Sequence, residues 1–182
     1  MSRTALLIID LFNDFDFEGG DMLRKHTEAI VEPILELKKH FKELDLPVIY
    51  CNDNFGQWKD STEDIIEYVK ASKGEHIASQ IEPEDEEYFI IKPRHSTFFG
   101  TQLDILLRQL NVTKLILTGV ATDICILFSA NDAYMRDYDI YVPRDCVAAE
   151  TSKRHESALT IIDKALGIEI SPVSEYMSHI QK

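Results

Sequence analysis

Residues 115–125 read LILTGVATDIC, and the fold follows from how this stretch is read. Leu115, Ile116 and Leu117 form a short apolar run of the kind that fills a strand buried on both faces, Gly119 punctuates it, and Thr122 is a favoured helix N-cap residue. The expectation is strand, tight turn, helix. With Thr122 at the N-cap, Cys125 falls at the third helical position, where first-turn N–H groups lack intrahelical acceptors and the macrodipole is positive. A thiol there is expected to lose its proton easily, and the N–H groups beside it are candidate donors to an oxyanion. A small buried hydrophobe facing the sheet would suit the same position, so the stretch alone leaves both readings open. Cys51 ends an apolar run and Cys146 follows another, and both read as packing residues.

Working outward, short apolar runs alternate with helical patterns. Thr4–Asp10 is a buried-strand pattern ending in a carboxylate, followed by a loop over Leu11–Asp21. Ile30, Val31, Ile34, Leu35 and Phe41 recur at helical spacing, predicting a helix to about Leu44 with Pro33 in its first turn or kinking it. Pro47–Cys51 is the second strand, and Asn52–Lys59 a polar and aromatic loop. Ser61 or Thr62 caps a helix with Ile65, Ile66 and Val69 on its apolar face. Residues 72–86 read as a loop with at most a turn of helix. Tyr88–Ile91 is the third strand, with Lys92 directly after it. Gly100 and Thr101 open a helix leading to the fourth strand at Leu115. A helix from Thr122 to about Asp137, a fifth strand over Ile140–Val142 and a helix from Thr151 to Leu166 follow, and Ile168–Ile170 is expected to close the sheet. Alternation of this kind implies right-handed crossovers, hence a three-layer α/β fold: a six-stranded, mostly parallel, Rossmann-like doubly wound sheet with helices on both faces.

Composition narrows the function. The 182 residues suit one domain, with 45% hydrophobic and 28% charged residues as in ordinary globular proteins. No apolar run is long enough for a bilayer, and the first apolar run stops at Asp10 without a cleavage site, so neither a membrane span nor a signal peptide is expected. Three cysteines without regular spacing form no disulfide framework, which points to a cytoplasmic setting. A formal net charge of -13 with no Lys/Arg cluster disfavours nucleic acid as a partner.

Asp10, Lys92 and Cys125 occupy equivalent places, each at or just beyond the C-terminal end of a parallel strand, where open α/β sheets build their sites. A carboxylate can take a thiol proton and later deliver it to a leaving amine, while an ammonium stabilises both anions. Taken singly, Asp10 and Lys92 would equally suit a structural ion pair.

Three segments carry a resemblance: ALLIIDLFNDF at residues 5–15, KPRHSTFFGTQL at 92–103, and LTGVATDICILFSANDAYMRDYDIYVPRDCVA at 117–148. Together they resemble the isochorismatase-like cysteine hydrolase superfamily, which includes nicotinamidases and N-carbamoylsarcosine amidase. The resemblance implies that Cys125 is the nucleophile, Asp10 the general base and then acid, and Lys92 their electrostatic partner. It also implies a cis peptide between Val120 and Ala121, an oxyanion hole from the N–H groups of Ala121 and Cys125, and assembly into a homodimer or homotetramer. The substrate it implies is a small amide or carbamoyl compound.

Two positions depart from the nicotinamidase pattern. Nicotinamidases carry Asp-x-His after the second strand, with a further His downstream, as metal ligands; here Asn52 and Asn54 stand there, with Asp53 between them and His76 beyond. Amide oxygens bind borderline metals weakly, so no metal and no cofactor is expected. Phe12 stands where nicotinamidases carry Gln. Both departures favour a metal-independent amidase over a nicotinamidase, and Cys125 disfavours isochorismate as the substrate. Phe15, Phe55, Trp58 and Phe98, with Asn52, Asp53 and Asn54, are the expected pocket residues. A nucleotide binder is disfavoured because no GxGxxG or P-loop follows any strand, while a catalytically silent binding protein remains the competing class.

Overall fold

The computed structural model describes residues 3–58 and 61–177. Strands β1 (Arg3–Ile9), β2 (Val48–Asp53), β3 (Tyr88–Lys92), β4 (Val112–Val120) and β5 (Asp139–Tyr141) form a sheet in the order β3-β2-β1-β4-β5, and β6 (Val147–Ala148) pairs with the end of β4. Every pairing among them is parallel. The alternation of side chains along each strand then feeds two cores. Leu6 and Ile8 of β1, Val48 and Tyr50 of β2 and Ile116 of β4 meet one core, while Ala5, Leu7, Ile9, Ile49, Cys51, Leu115 and Leu117 meet the other. Continuous apolar runs are therefore the only pattern these strands could carry.

Helices α1 (Gly20–Glu43), α2 (Thr62–Lys70) and α3 (Glu75–Ala78) cover the first face through Leu23, Ile34, Phe41, Val69 and Ile77. Helices α4 (Leu103–Gln109), α5 (Leu127–Tyr134) and α6 (Ser152–Lys164) cover the second through Leu107, Ala130, Ala133, Leu159 and Ile162. A last short helix, α7 (Val173–Met177), adds Val173 to the first core. The result is the three-layer, doubly wound architecture. The chain builds β1, β2 and β3 toward one edge and then crosses to β4 on the other side of β1, so the switch point lies between β1 and β4. The crevice beyond their C-terminal ends is where such sheets hold ligands. Gly119 makes this crevice possible: with φ at 108°, a Cβ there would sit 2.0 Å from the carbonyl oxygen of Ile9.

The structure corrects several sequence expectations. Ile168–Ile170 supplies one parallel bridge, Glu169 to Tyr141, and not the sixth strand. That place goes to Val147–Ala148, because β4 outruns the three-residue β5 and its exposed backbone at Gly119 and Val120 needs a partner. Helix α1 begins at Gly20, ahead of the expected apolar stripe, so Pro33 lies in its interior and not in its first turn. The polar stretch ahead of Ile30 hid the period, although buried Leu23 and Thr27 continue the stripe. Strand β2 runs through Asn52 and Asp53, two residues further than expected, because both pair in register with β3, Asp53 opposite Lys92. Part of the expected loop Asn52–Lys59 lies outside the described residues, namely Lys59.

Candidate active site

Asp10 follows β1 directly and turns the chain with φ at 52°, a left-handed conformation that costs an L-residue energy and that Asp tolerates better than most. Two bonds fix it: its N–H donates to Cys51 O at 3.0 Å, and its Oδ1 accepts from the Asp53 N–H at 2.8 Å. Lys92, the last residue of β3, is fully buried and reaches across the sheet edge. Its ammonium lies 2.8 Å from Asp10 Oδ2, donates to Cys125 Sγ at 3.5 Å and to Arg94 O at 3.2 Å, and stands 3.9 Å from Asp53 Oδ2. The three strand-end residues of the sequence analysis thus share one buried contact, centred on a single cation.

Cys125 sits in a turn that differs from the expected one. The Val120–Ala121 peptide, for which the resemblance implies a cis form, is cis, but residues Thr122–Ile126 form a π-helical turn before α5 in place of the expected regular helix start. Ala121, not Thr122, is the capping residue, and its carbonyl accepts from both Ile124 N–H at 3.0 Å and Ile126 N–H at 3.2 Å. π turns of this kind concentrate at functional sites. Thr122 is buried, and its hydroxyl lies 2.9 Å from His155 Nδ1 instead of capping the helix.

The expectation of an easily ionised thiol is also corrected. Burial pushes the Cys125 thiol up, the carboxylate of Asp10 pushes it further, and Lys92 offsets this only in part. Burial likewise raises Asp10 above the ordinary carboxylate value of 3.8, against the pull of Lys92 and the Cys125 hydrogen bond. Lys92 loses some proton affinity to burial but gains more from Asp10 and Cys125, so it is held firmly as the cation. Burial and Asp10 thus favour the neutral thiol, burial raises the basicity of the Asp10 carboxyl, and Lys92 sets a positive charge between them.

The other expected site residues are placed variously. Asn52 does not face a ligand: its Oδ1 accepts from Phe12 N–H at 3.1 Å and its Nδ2 donates to Phe12 O at 2.8 Å, so its amide splints the loop after Asp10. Asn54 Oδ1 accepts from Gly56 N–H at 2.9 Å, and Asp53 Oδ1 from Phe55 N–H at 2.8 Å, both closing local turns. Asp53 Oδ2 still faces Lys92. Phe15 is fully buried in the first core and Phe98 in the second, where Arg136 lies over its ring. Phe55 packs on Tyr68, and Trp58 is 85% exposed. Two neighbours escaped the sequence reading, Arg154 and His155 at the start of α6, which bond to Asp123 and Thr122. Nothing in the local pattern signals a contact across some thirty residues of chain.

A transition-metal site does not fit this donor set. Asn52 has both amide atoms engaged by Phe12, Asp53 is half-committed to its turn, and His76 is exposed on α3. Among the described residues no group of three or more His, Cys, Asp or Glu side chains is arranged to hold an ion.

Comparison with known proteins adds an independent line. Residues 4–171 match the model of the isochorismatase domain. The chain is 44% identical over 167 residues to the uncharacterized isochorismatase family protein YaaI of Bacillus subtilis, covering 92% of each chain. It is 37% identical over 164 residues to the ureidoacrylate amidohydrolase RutB of Yersinia enterocolitica, covering 75% of this chain and 71% of the other. The crystal structure of the nicotinamidase SaPncA from Staphylococcus aureus superposes with a TM-score of 0.71 at 31% identity, over 94% of this chain and 98% of the other.

Proposed function

The chain belongs to the isochorismatase family, a family of hydrolases that includes amidohydrolases, and from that premise we propose that it cleaves a C–N bond of a small amide or carbamoyl compound through a thioester on Cys125. The observation that carries the reading is the buried contact of the Lys92 ammonium with both the Asp10 carboxylate at 2.8 Å and the Cys125 sulfur at 3.5 Å. In the proposed reaction Asp10 takes the Cys125 proton as the sulfur attacks the carbonyl carbon. The N–H groups of Ala121 and Cys125 receive the oxyanion. As the tetrahedral adduct collapses, Asp10 returns the proton to the departing nitrogen, which leaves as ammonia or an amine. A water then gives its proton to Asp10 and attacks the thioester, and the second collapse returns a proton to sulfur and frees the acid. Lys92 keeps Asp10 ionised enough to act as a base in spite of its burial, and neutralises the thiolate as it forms. No step needs a metal or cofactor.

The reading carries with it a single domain across residues 1–182, a cytoplasmic setting and a homodimer or homotetramer. Nicotinamide hydrolysis is the second reading, favoured by the likeness to the Staphylococcus aureus nicotinamidase. Ammonia release from a panel of primary amides, ureido acids and nicotinamide is the test. Turnover by the wild type on a panel member, abolished in Cys125→Ala, with a mass increase at Cys125 after rapid quenching, is the expected result. Undiminished turnover in Cys125→Ala would refute the covalent route, and a panel on which the wild type is inert would favour a binding role.

A further inference from the structure

The residues just ahead of Cys125 are held from outside their own turn. Thr122 Oγ1 lies 2.9 Å from His155 Nδ1, and Asp123 Oδ2 accepts from Arg154 Nε at 2.5 Å. Arg154 also pairs with Glu150. Arg154 and His155 are consecutive residues in the first turn of α6, so one helical turn grips two consecutive residues of the π turn. Core packing of Ile126 anchors the end of that turn, while the backbone bonding at its start is irregular. Its first carbonyl, Ala121 O, is shared by the N–H groups of Ile124 and Ile126, and this departs from the regular bonding that would set the position of each residue in an α-helix. The Thr122 side chain is fully buried, where an unmade hydroxyl bond would be costly, so the imidazole contact is a defined tether and not a surface accident.

Taking Cys125 as the reacting thiol, we propose that Thr122 and His155 are positioning residues that hold the π turn so that the Cys125 sulfur stays within reach of Lys92 and Asp10. The tether works with His155 neutral and its proton on Nε2, which lets Nδ1 accept from the Thr122 hydroxyl. The groups facing the ring are Asp123 on the π turn, Glu156 on α6, Arg144 after β5 and His26 on α1. Burial keeps its pKa below the ordinary 6.5, with Arg144 and His26 acting in the same direction and Glu156 opposing. The ring also lines a surface cavity of about 190 Å³ with His26, Ile30 and Thr151, so protons reach it without passing through the reacting groups. On protonation Nδ1 becomes a donor to Thr122 Oγ1, so the contact persists with its direction reversed. Because the folded pKa is depressed, the form in which Thr122 donates prevails above the unfolded histidine value, and the reversed form takes over as pH falls through the folded one.

The test is the rate of iodoacetamide labelling at Cys125, read by peptide mass spectrometry, in Thr122→Val, Thr122→Ser, His155→Ala and His155→Asn. Buried Cys51 and Cys146 report on folding in the same samples. The expected result is a fall of about tenfold in Thr122→Val and His155→Ala, as befits a displaced reacting atom, with Cys51 and Cys146 still protected. Thr122→Ser and His155→Asn, which keep a hydrogen-bonding group, should recover most of the rate. Should Thr122→Val expose Cys51, His155→Ala decides, since it removes the partner without altering the turn's own residues. An unchanged or faster Cys125 rate in a folded His155→Ala protein overturns the proposal. Labelling reports the position of the thiol without turnover, so a wild type inert toward every amide would defeat the amidase reading while leaving the tether to be judged on its own.

Discussion

Four strand ends meet at the same edge of the sheet, and they use similar residues in opposite ways. After β1, β3 and β4, the side chains of Asp10, Lys92 and Cys125 turn toward one another and share one buried contact. At the end of β2 and just beyond it, Asn52 is bonded both ways to the backbone of Phe12, Asn54 and Asp53 close turns two residues ahead, and Trp58 points into solvent. The difference is one of available partners. A short polar side chain in a turn has its own backbone N–H two residues on within reach, and that local bond wins by default. Lys92 spans the distance that Asn cannot, and Asp10 meets its partners because β1 lies between β2 and β4, with strand ends on both sides. Polar residues at a sheet edge thus become a reactive cluster where neighbouring strands supply ionisable partners, and scaffolding where the partner is backbone, two residues on for Asp53 and Asn54 or in the loop after β1 for Asn52.

The largest expected effect on this contrast is at its centre. Lys92→Met leaves Asp10 buried without a cation, and the loss of one member of a buried pair should cost about 3–5 kcal/mol of stability. Denaturant unfolding measures the loss, and turnover on any confirmed amide should vanish with it. A variant as stable as the wild type would show that the cluster is no more structural than the β2 loop. Next comes the pH dependence. Asp10 must be ionised to accept the thiol proton, and its pKa is raised above 3.8 by burial, so the acid limb of kcat/KM should lie above the ordinary carboxylate range. Replacing Asp53, whose charge also raises Asp10, with Asn should move that limb to lower pH, and a limb that stays in place would remove Asp53 from the cluster's electrostatics.

Smaller effects belong to the β2 side. Asn52→Ala strips a donor and an acceptor from the buried backbone of Phe12 and should destabilise the fold by about 1–3 kcal/mol, measurable as a fall in Tm, with activity reduced only through the displaced loop after Asp10. Trp58→Ala should change stability by less than about 0.5 kcal/mol, since the ring is exposed, and any effect should appear in KM alone. A large loss of kcat in Trp58→Ala would move the β2 loop from scaffold to working part and erase the contrast.

The sequence by itself determined the layout. Strands buried on both faces must be continuous apolar runs, so β1 to β4 are visible as such, and their alternation with helical patterns dictates parallel crossovers. The strand-end placement of Asp10, Lys92 and Cys125 follows from where those runs stop. Only the tertiary structure decided the rest. Val147–Ala148 displaces Ile168–Ile170 as the sixth strand because unpaired backbone at the end of β4 needed a partner, a demand set by the lengths of other strands. The pull on the Cys125 thiol runs upward, against the expectation drawn from a helix terminus, because burial and the nearby Asp10 outweigh Lys92, and both arrive from distant parts of the chain. Thr122 could have capped a helix, yet it bonds to His155 because α6 brings an imidazole to it. Periodicity is local and can be read along the chain; the charge and hydrogen-bond partner that a residue meets depend on its neighbours in space, and those exist only once the layers have packed.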